Sequence, residues 1–345
     1  MQLENMKNPP LISVCIPVFS TEPLLAQCLR SVIRQDFARF EVVIVSDASR
    51  GKDAQGRNAK KIVRVMQREC NKSRRARKLP VVPFRFVEHK QNRGLIEVRR
   101  TLCYEARADY MTQLDSDDEL ADGALTALYE TVAQGAGSGT EFDIVHGTSV
   151  AGAFDADGTF VPAEENRYGN IFYGEVAGRD VFRRWLMEGL FTANTWGKLI
   201  RRSLWLSAYQ NIPYTECNVA DDVLLFFFLA QNARRYVGIK SVVYRYRVNS
   251  GMTSARKIDT LHKWKMVCSA ASVFSVISTW IQEHPHALCE DEVCKMRAMT
   301  RWYLVNNLQQ MRAVVVPELL ADARELLCEY WGADFVQKAE AALDQ

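Results

Sequence analysis

Four carboxylates stand close together in residues 110–119, directly after an apolar-leaning segment. They are Asp115, Asp117, Asp118 and Glu119, and Leu120 follows them. Carboxylates packed this closely raise one another's pKa unless a cation or a hydrogen-bond donor relieves the repulsion. Magnesium and manganese prefer oxygen ligands and usually share them with substrate phosphates. An Asp-x-Asp sequence after a strand therefore indicates a diphosphate site that holds Mn²⁺ or Mg²⁺.

The same cluster has a second interpretation, which the residues alone leave open. Aspartate is common at strand ends and at helix N-caps. The carboxylates would then form a solvated acidic loop that caps a helix beginning near Asp122.

The composition is that of a globular protein with one large domain, or one domain and a smaller appendage. The chain has 345 residues, of which 48% are hydrophobic and 25% charged, and this is ample for a packed core. The first residues lack the apolar region of a signal peptide, and the apolar run at residues 224–230 is too short to span a bilayer. We therefore expect a cytoplasmic enzyme.

The cysteines indicate reduced thiols rather than a disulfide framework. There are nine of them, scattered and without a Cys-x-x-Cys pair. His284, His286, Cys289 and Cys294 lie close together, but their spacing matches no standard zinc finger. A structural zinc site is therefore the less favoured interpretation of this group.

A basic block occupies residues 57–78. An anionic membrane surface or a polyanionic acceptor is one candidate partner, and the alternative is a solvated helix and loop. Nucleic acid is disfavoured because no aromatic residue lies between Arg57 and Lys78. Binding to anionic vesicles that weakens as salt rises would distinguish a membrane partner from a solvated face. The basic residues are Arg57, Lys60, Lys61, Arg64, Arg68, Lys72, Arg74, Arg75, Arg77 and Lys78.

Apolar patterning in the first third of the chain predicts alternating strands and helices. Strands are expected at residues 11–19, 40–46, 81–87 and 110–114, and helices at 22–34, across the basic block and at 95–108. This alternation indicates a parallel sheet with helices on both faces. Ligands of such sheets bind at the carboxyl ends of the strands, where the polar motifs of this chain fall.

The rest of the chain is predicted less regularly. We expect a Gly-rich loop at 134–139, a strand at 142–146, loop and hairpin at 154–168, helices at 179–190 and 203–209, and β structure at 237–246. After Ser254 the pattern becomes helical to the end. A boundary near Ala255 would separate a catalytic domain, residues 1–254, from a helical region, residues 255–345. That region would serve packing, homo-oligomerisation, or acceptor or membrane contact.

A series of motifs then resembles the inverting glycosyltransferases of family 2, which have the GT-A fold, a Rossmann-like α/β sheet flanked by helices. The series spans residues 11 to about 253 in the family's order. Its members are residues 13–20, 40–49, 92–94 with Arg99, 115–118, 196–202, 221–223 and 244–247.

The resemblance implies roles for residues that match the family's motifs. Pro17 and Phe19 would line the nucleotide pocket, and the Asp47 carboxylate would accept from uracil N3–H, although Ser46 replaces the first of the usual two aspartates. Arg99, Asp115 and Ser116 would contact the donor. Asp117 would bind the metal directly.

The later motifs would supply the base, the acceptor contacts and an arginine for the diphosphate. Asp222 resembles the catalytic base of inverting members, with Asp221 beside it in place of the usual glutamate. Ordinary helix N-terminal carboxylates are the alternative for this pair. Trp196 would stack against an acceptor sugar or belong to the core. Arg247 would steady the leaving diphosphate, helped by Ser250 or Thr253, but strand alternation does not separate it from Arg245.

These implications describe a metal-dependent enzyme that moves a sugar from a UDP-sugar to a hydroxyl of a glycan, polysaccharide or lipid-linked acceptor. Such acceptors would allow a peripheral position at the inner membrane face. A sugar-phosphate nucleotidyltransferase is an alternative, but it would need a Gly-rich, Lys-bearing loop where this chain has residues 17–22. A non-catalytic nucleotide- or glycan-binding module on the same fold is a further alternative.

Overall fold

The first two strands form the fully buried centre of the molecule. The computed structural model describes residues 9–155, 158–167, 169–248 and 257–343, and the side chains of 164–167 are not described. β1 (Ile12–Val18) and β2 (Phe40–Ser46) pair in parallel, and every residue of both is buried. Between them, α1 (Glu22–Arg34) has Pro23 in its first turn and buries Leu25, Leu29 and Val32.

The parallel part of the sheet follows the predicted alternation. α2 (Ala59–Ala76), β3 (Phe84–Glu88), α3 (Leu95–Glu105) and β4 (Tyr110–Gln113) complete it. The strand order is β3-β2-β1-β4, and all three pairings are parallel. The four strands and three helices predicted for this region are therefore confirmed, and their ends differ from the prediction by a few residues at most.

The rest of the chain extends the sheet with strands of both directions. β9 (Lys198–Arg201) lies antiparallel to both β4 and β6 (Ile144–Phe154), and β10 (Arg235–Arg247) lies parallel to β6. Six of the ten strands in the described residues point in the same direction. The mainly parallel α/β sheet is thus confirmed. The other elements here are β5 (Glu119–Leu120), α4 (Ala124–Gly137), β7 (Phe160–Arg167), β8 (Glu175–Ala177), α5 (Asp180–Leu186), α6 (Arg202–Asn211) and α7 (Asp221–Asn232).

The predicted C-terminal helices are present. They are α8 (Leu261–Cys268), α9 (Ala270–Glu283), α10 (Glu290–Val314), α11 (Leu320–Trp331) and α12 (Ala333–Leu343). α9 joins the main core, since Val273 and Phe274 share a cluster with α7. The other four helices enclose a smaller core that includes Trp264, Leu304 and Leu327. The boundary proposed near Ala255, and Ser250 and Thr253, lie outside the described residues.

One stretch in the described residues is long and apolar enough to cross a membrane by length and composition, namely Leu261–Glu283 with a mean hydropathy of 1.3. The expectation based on residues 224–230 overlooked it. This is weak evidence for a span, because the stretch consists of two consecutive helices, α8 and α9, and 44% of its apolar window is buried in the protein.

The Gly-rich loop expected at 134–139 is wrong for most of its length. α4 continues to Gly137 and only then turns. Gly135 is needed for close packing, because a Cβ at this position would lie 2.6 Å from the Phe142 ring. The strand expected at 142–146 is β6, which begins later and runs to Phe154. The hairpin is confirmed where it is described, because β7 pairs antiparallel with β6.

The basic block divides into structural and exposed residues. Arg57 pairs with Asp53, and Arg77 donates to the carbonyl of Ile33. Arg74 is fully buried, and its guanidinium donates to the carbonyls of Gln35, Phe37 and Pro80. The remaining seven side chains are exposed: Lys60, Lys61, Arg64, Arg68, Lys72, Arg75 and Lys78.

The residues considered for zinc have other contacts. His284 stacks on Trp280 with ring centroids 4.6 Å apart, and Cys289 accepts a hydrogen bond from Arg183. In the described part of the chain, no group of three or more histidine, cysteine or acidic side chains is arranged to hold a metal ion.

Arg74→Met should destabilise the protein by about 3 kcal/mol, because three buried carbonyls lose a charged donor. Urea unfolding should show a lower midpoint with an unchanged slope. Arg75→Met is the matched control on the exposed face of the same helix and should change stability by less than about 0.5 kcal/mol. Equal midpoints for the two variants would contradict the structural role of Arg74.

Candidate active site

A cleft of about 650 Å³ opens at the carboxyl ends of β1, β2 and β4. Its volume is that of a site for a small molecule or cofactor. Segments from most of the chain contribute to its wall. They are the loop after β1 (17–21), Asp47 after β2, the start of α3 (92–99), the acidic loop (115–118), the loop before β9 (192–196), the start of α7 (218–223), Tyr246 of β10 and Tyr303 of α10.

The acidic loop between β4 and β5 is held by residues of β10. Asp118 is buried and accepts from the Tyr244 hydroxyl at 2.8 Å and from the Arg247 amide at 2.7 Å. Burial raises the pKa of Asp118 well above its ordinary value. The next contact is made by Ser116, whose hydroxyl lies 2.6 Å from that of Thr21. These contacts commit Asp118 to the protein, and Asp115 and Asp117 remain as the carboxylates that can serve a ligand.

Arg99 connects the two acidic segments of the cleft. Its Nη2 lies 3.3 Å from Asp115, and its Nε lies 3.0 Å from Asp221. The guanidinium is almost fully buried, and it also donates to the Gln113 side chain. Burial raises the pKa of Asp115 to about 6, and Arg99 opposes this rise. The predicted donor contact is thus a residue that fixes two carboxylates in the cleft.

Asp221 and Asp222 lie in the first turn of α7, after Ala220 in the left-handed region with φ of 64°. Asp222 accepts from the Val223 amide at 2.8 Å, so the helix N-terminus uses one of its oxygens. Burial raises the pKa of both carboxylates. A buried carboxylate with a raised pKa is better able to accept a proton near neutral pH.

Lys198 brings a second titratable group close to Asp222. It is fully buried, its Nζ donates to the carbonyl of Asn194, and it lies 5.3 Å from the centre of the Phe226 ring. Burial lowers its pKa to about 7, and the negative charge of Asp222 opposes this fall. Lys198 therefore changes charge near neutral pH beside the proposed base.

The Asp47 carboxylate lies at the cleft but turns towards the protein. It accepts from the backbone amides of Arg93 and Gly94, between 2.9 and 3.0 Å, and its Oδ1 lies 2.7 Å from His89 Nδ1. These contacts use most of the acceptor capacity of a carboxylate. Gly94 is the N-cap of α3 and has a φ of 84°. Asp47 thus fixes the loop that begins α3, in addition to any contact with a base.

Trp196 and Tyr246 are part of an aromatic stack at the cleft. Trp196 is mostly buried and stacks on Tyr244, with ring centroids 4.8 Å apart, and on Tyr246. Phe19 also lines the cleft and is 39% exposed. Both predicted roles of Trp196, in the core and at the cleft, are compatible with this position.

The two arginines of β10 are distinguished by their partners. Arg245 lies near Glu119 and Asp122. Arg247 donates to the carbonyl of Asp117 at 2.9 Å and to Gln27, and it is not among the residues that line the cleft. Its position favours support of the acidic loop over the predicted contact with a diphosphate.

Sequence reasoning missed several residues of the cleft. Tyr303 lies on α10, where its helical spacing is that of an ordinary core residue, so no signal could have found it. Lys198 does not line the cleft but lies buried near Asp222, within the motif at 196–202, and a lysine directly before the apolar Leu199 and Ile200 was the available signal. Thr21, Asn194 and Asn218 also line the cleft.

Residues 13–148 match the model of the family described as Glycosyl transferase family 2. This part of the chain is similar to that family. Among curated relatives, glycosyltransferase GlyG of Streptococcus pneumoniae serotype 4 (strain ATCC BAA-334 / TIGR4) is 22% identical over 91% of this chain and 92% of its own length. Glycosyltransferase GlyA of the same strain is 22% identical over 70% of this chain, which spans only 31% of GlyA.

Solved structures show that this chain has the GT-A fold. S. aureus TarS 1-349 in complex with UDP-GlcNAc is 17% identical, with a TM-score of 0.50 over 96% of this chain and 92% of that one. The mannosyltransferase PcManGT from Pyrobaculum calidifontis, in complex with GDP-Man and Mn²⁺, is 16% identical, with a TM-score of 0.50 over 96% and 86%. At these identities the likeness shows the fold alone.

Asp47→Asn should loosen the loop at the start of α3, because the amide places an N–H₂ group against backbone amides that need an acceptor. Hydrogen exchange at Arg93 and Gly94 should become at least about tenfold faster, and UDP and CDP affinities should fall by similar factors. Asp109→Asn, on the exposed surface, is the control. A loss confined to UDP would instead show that the main role of Asp47 is the base contact.

Proposed function

We propose that this glycosyltransferase is an inverting, metal-dependent enzyme that transfers a sugar from a nucleotide diphosphate, UDP in particular, to a hydroxyl of a glycan, polysaccharide or lipid-linked acceptor. The observation that carries the proposal is the bridge through Arg99 from Asp115 to Asp221. It places the acidic loop and Asp222 in the same cleft, although they are more than 100 residues apart in sequence.

Asp222 would act as the base of a single displacement. Its carboxylate takes the proton of the acceptor hydroxyl while that oxygen forms a bond to the anomeric carbon. The bond from this carbon to the diphosphate oxygen breaks at the same time, and the electron pair leaves with the nucleoside diphosphate. The configuration inverts because attack and departure occur on opposite sides.

The residues of the acidic loop fit a divalent cation of the magnesium or manganese type. Such ions keep waters and substrate phosphates as ligands, and need only one or two protein carboxylates. Asp117 would be the direct ligand, with Asp115 beside it, because Asp118 is committed to Tyr244 and Arg247. When bound, the cation would stabilise the negative charge of the leaving diphosphate.

The donor and acceptor would occupy opposite ends of the cleft. Pro17, Phe19 and the loop held by Asp47 would bind the nucleoside, and Ser116 would orient the acidic loop through Thr21. Trp196 and Tyr246 would face the sugars. UDP is proposed as the nucleotide because TarS, of the same fold, is described in complex with UDP-GlcNAc.

The seven exposed basic residues of α2 and its C-terminal end favour contact with an anionic membrane, where lipid-linked acceptors would be available. Such contact would hold a cytoplasmic enzyme at the membrane surface. Vesicles of anionic lipid, compared with neutral vesicles at low and high salt, would measure it.

Asp222→Asn should lower kcat for transfer by about 10²- to 10⁴-fold and leave UDP affinity within about twofold of wild type. The base acts as a carboxylate, and burial raises its pKa, so wild-type kcat should fall as pH decreases towards that pKa. This acidic decline should be absent from the residual activity of the variant.

Glu216→Gln, an exposed substitution near α7, is the control for Asp222→Asn. Urea unfolding separates the catalytic role from a role in capping, since a variant that loses only the cap would lose stability rather than turnover. Wild-type transfer by a folded Asp222→Asn protein would exclude it as the base.

Asp117→Asn should weaken UDP binding in the presence of Mn²⁺ by about tenfold or more, because the cation loses a charged ligand. Calorimetry without the metal should show little difference between variant and wild type. Asp122→Asn, 63% exposed in the same loop region, should behave as wild type. Equal Mn²⁺-dependent affinities for all three proteins would remove Asp117 from the metal site.

A further inference from the structure

A second cavity of about 420 Å³ lies between α8 and α10, in the C-terminal helical region. It adjoins the candidate active-site cleft, because Asn218, Val219 and Tyr303 line both. The cavity is built mainly by residues outside the family match at 13–148. The proposed transfer reaction uses residues of the cleft and assigns no role to this cavity.

The lining of this cavity combines aromatic faces with side-chain amides. Trp302 is 58% exposed and lies next to Tyr303. The amides come from Asn218, Asn306 and Gln310. A pyranose ring presents apolar C–H groups on its faces and hydroxyls on its edge. Aromatic rings suit the faces, and amides, which both donate and accept, suit the hydroxyls.

The groups are held in place before any ligand binds. Gln310 donates to Asn306 one turn earlier on α10. Asn307, deeper in the same wall, accepts from the indole nitrogen of Trp331 at 3.1 Å. The Trp302 and Tyr303 rings meet edge to face, with centroids 4.9 Å apart. Such order reduces the entropy lost on binding.

The cavity on the other side of Trp302 and Tyr303 provides a contrast. Its volume is about 430 Å³, and it is lined by Trp185, Met299 and Lys295 among others, with no amide side chain. It too adjoins the cleft through Tyr303. Beside its apolar contacts it offers the donor Lys295, but it has no side-chain amide that both donates to and accepts from a sugar hydroxyl.

We propose that the cavity between α8 and α10 binds a sugar unit of the acceptor, beside the unit whose hydroxyl reacts at Asp222. The inference rests on the proposed function, and it identifies the acceptor as a glycan of at least two sugar units. Tyr303, which lies at the junction of the cleft and the cavity, would separate the reacting unit from its neighbour. The C-terminal helices would thereby determine which acceptor is used.

The test uses the full chain with Mn²⁺ and UDP, and four trisaccharide probes: chitotriose, maltotriose, cellotriose and mannotriose. Calorimetry should show binding of at least one probe to the wild type. Trp302→Ala and the double variant Asn306→Ala with Gln310→Ala should each raise the Kd of that probe by about tenfold. Lys295→Ala with Met299→Ala, the matched double truncation in the other cavity, should leave it within about twofold.

Urea unfolding and UDP affinity, measured on every variant, separate loss of the sugar site from loss of the fold. Binding of none of the probes by the wild type would overturn the inference, as would an equal loss in the matched control. Failure of the proposed function has a different signature, namely no UDP binding and no release of UDP from any UDP-sugar tested. A protein that binds UDP but no trisaccharide would keep the proposed function and lose only this inference.

Discussion

The buried guanidinium of Arg99 is the contact on which the site depends. An arginine placed out of water is stable only when its charge is balanced and its donors are used. Asp115, Asp221 and Gln113 meet both needs. Conversely, Asp221 is buried and Asp115 is partly buried, and each would repel its acidic neighbour without this cation. The ion pairs of Arg99 therefore fix the loop after β4 relative to the start of α7, in addition to apolar packing.

Backbone strain is concentrated around the same cleft. In the described residues four non-glycine positions have positive φ, and three of them, Ser20, Ala48 and Ala220, follow β1, follow β2 and precede α7. Each costs roughly 1 kcal/mol or more, and persists only where its surroundings hold it. Ser20 is held in part by the Ser49 hydroxyl, which accepts from its amide at 2.8 Å. Tight backbone turns of this kind place side chains at the ends of strands and helices, where a ligand can reach them.

The sequence predicts the parts of the fold that are governed by local pattern. Residues 40–46 are apolar except for Glu41 and Ser46, and 22–34 repeat at helical spacing, so β2 and α1 are predicted with their correct ends. β9 and β5 were not predicted, because short strands such as Glu119–Leu120 are defined by their neighbours in the sheet. Gly135 illustrates the same limit, since its place in α4 depends on Phe142. All the predicted site residues except Arg247 line one cleft, but the partners of Asp47 and Arg99 depend on tertiary contacts that no local pattern contains.

Asp118 is synthesised well before the β10 residues that hold it. Tyr244 and Arg247 are 126 and 129 residues further along the chain than the carboxylate they hold. The segment that matches the family model ends at residue 148, so a nascent chain carries every acidic residue of the loop long before it carries their support. Until β10 has left the ribosome and joined the sheet, the acidic loop lacks the hydrogen bonds that hold Asp118 in place. The loop therefore cannot take the form it has in the complete protein until residue 247 has been synthesised.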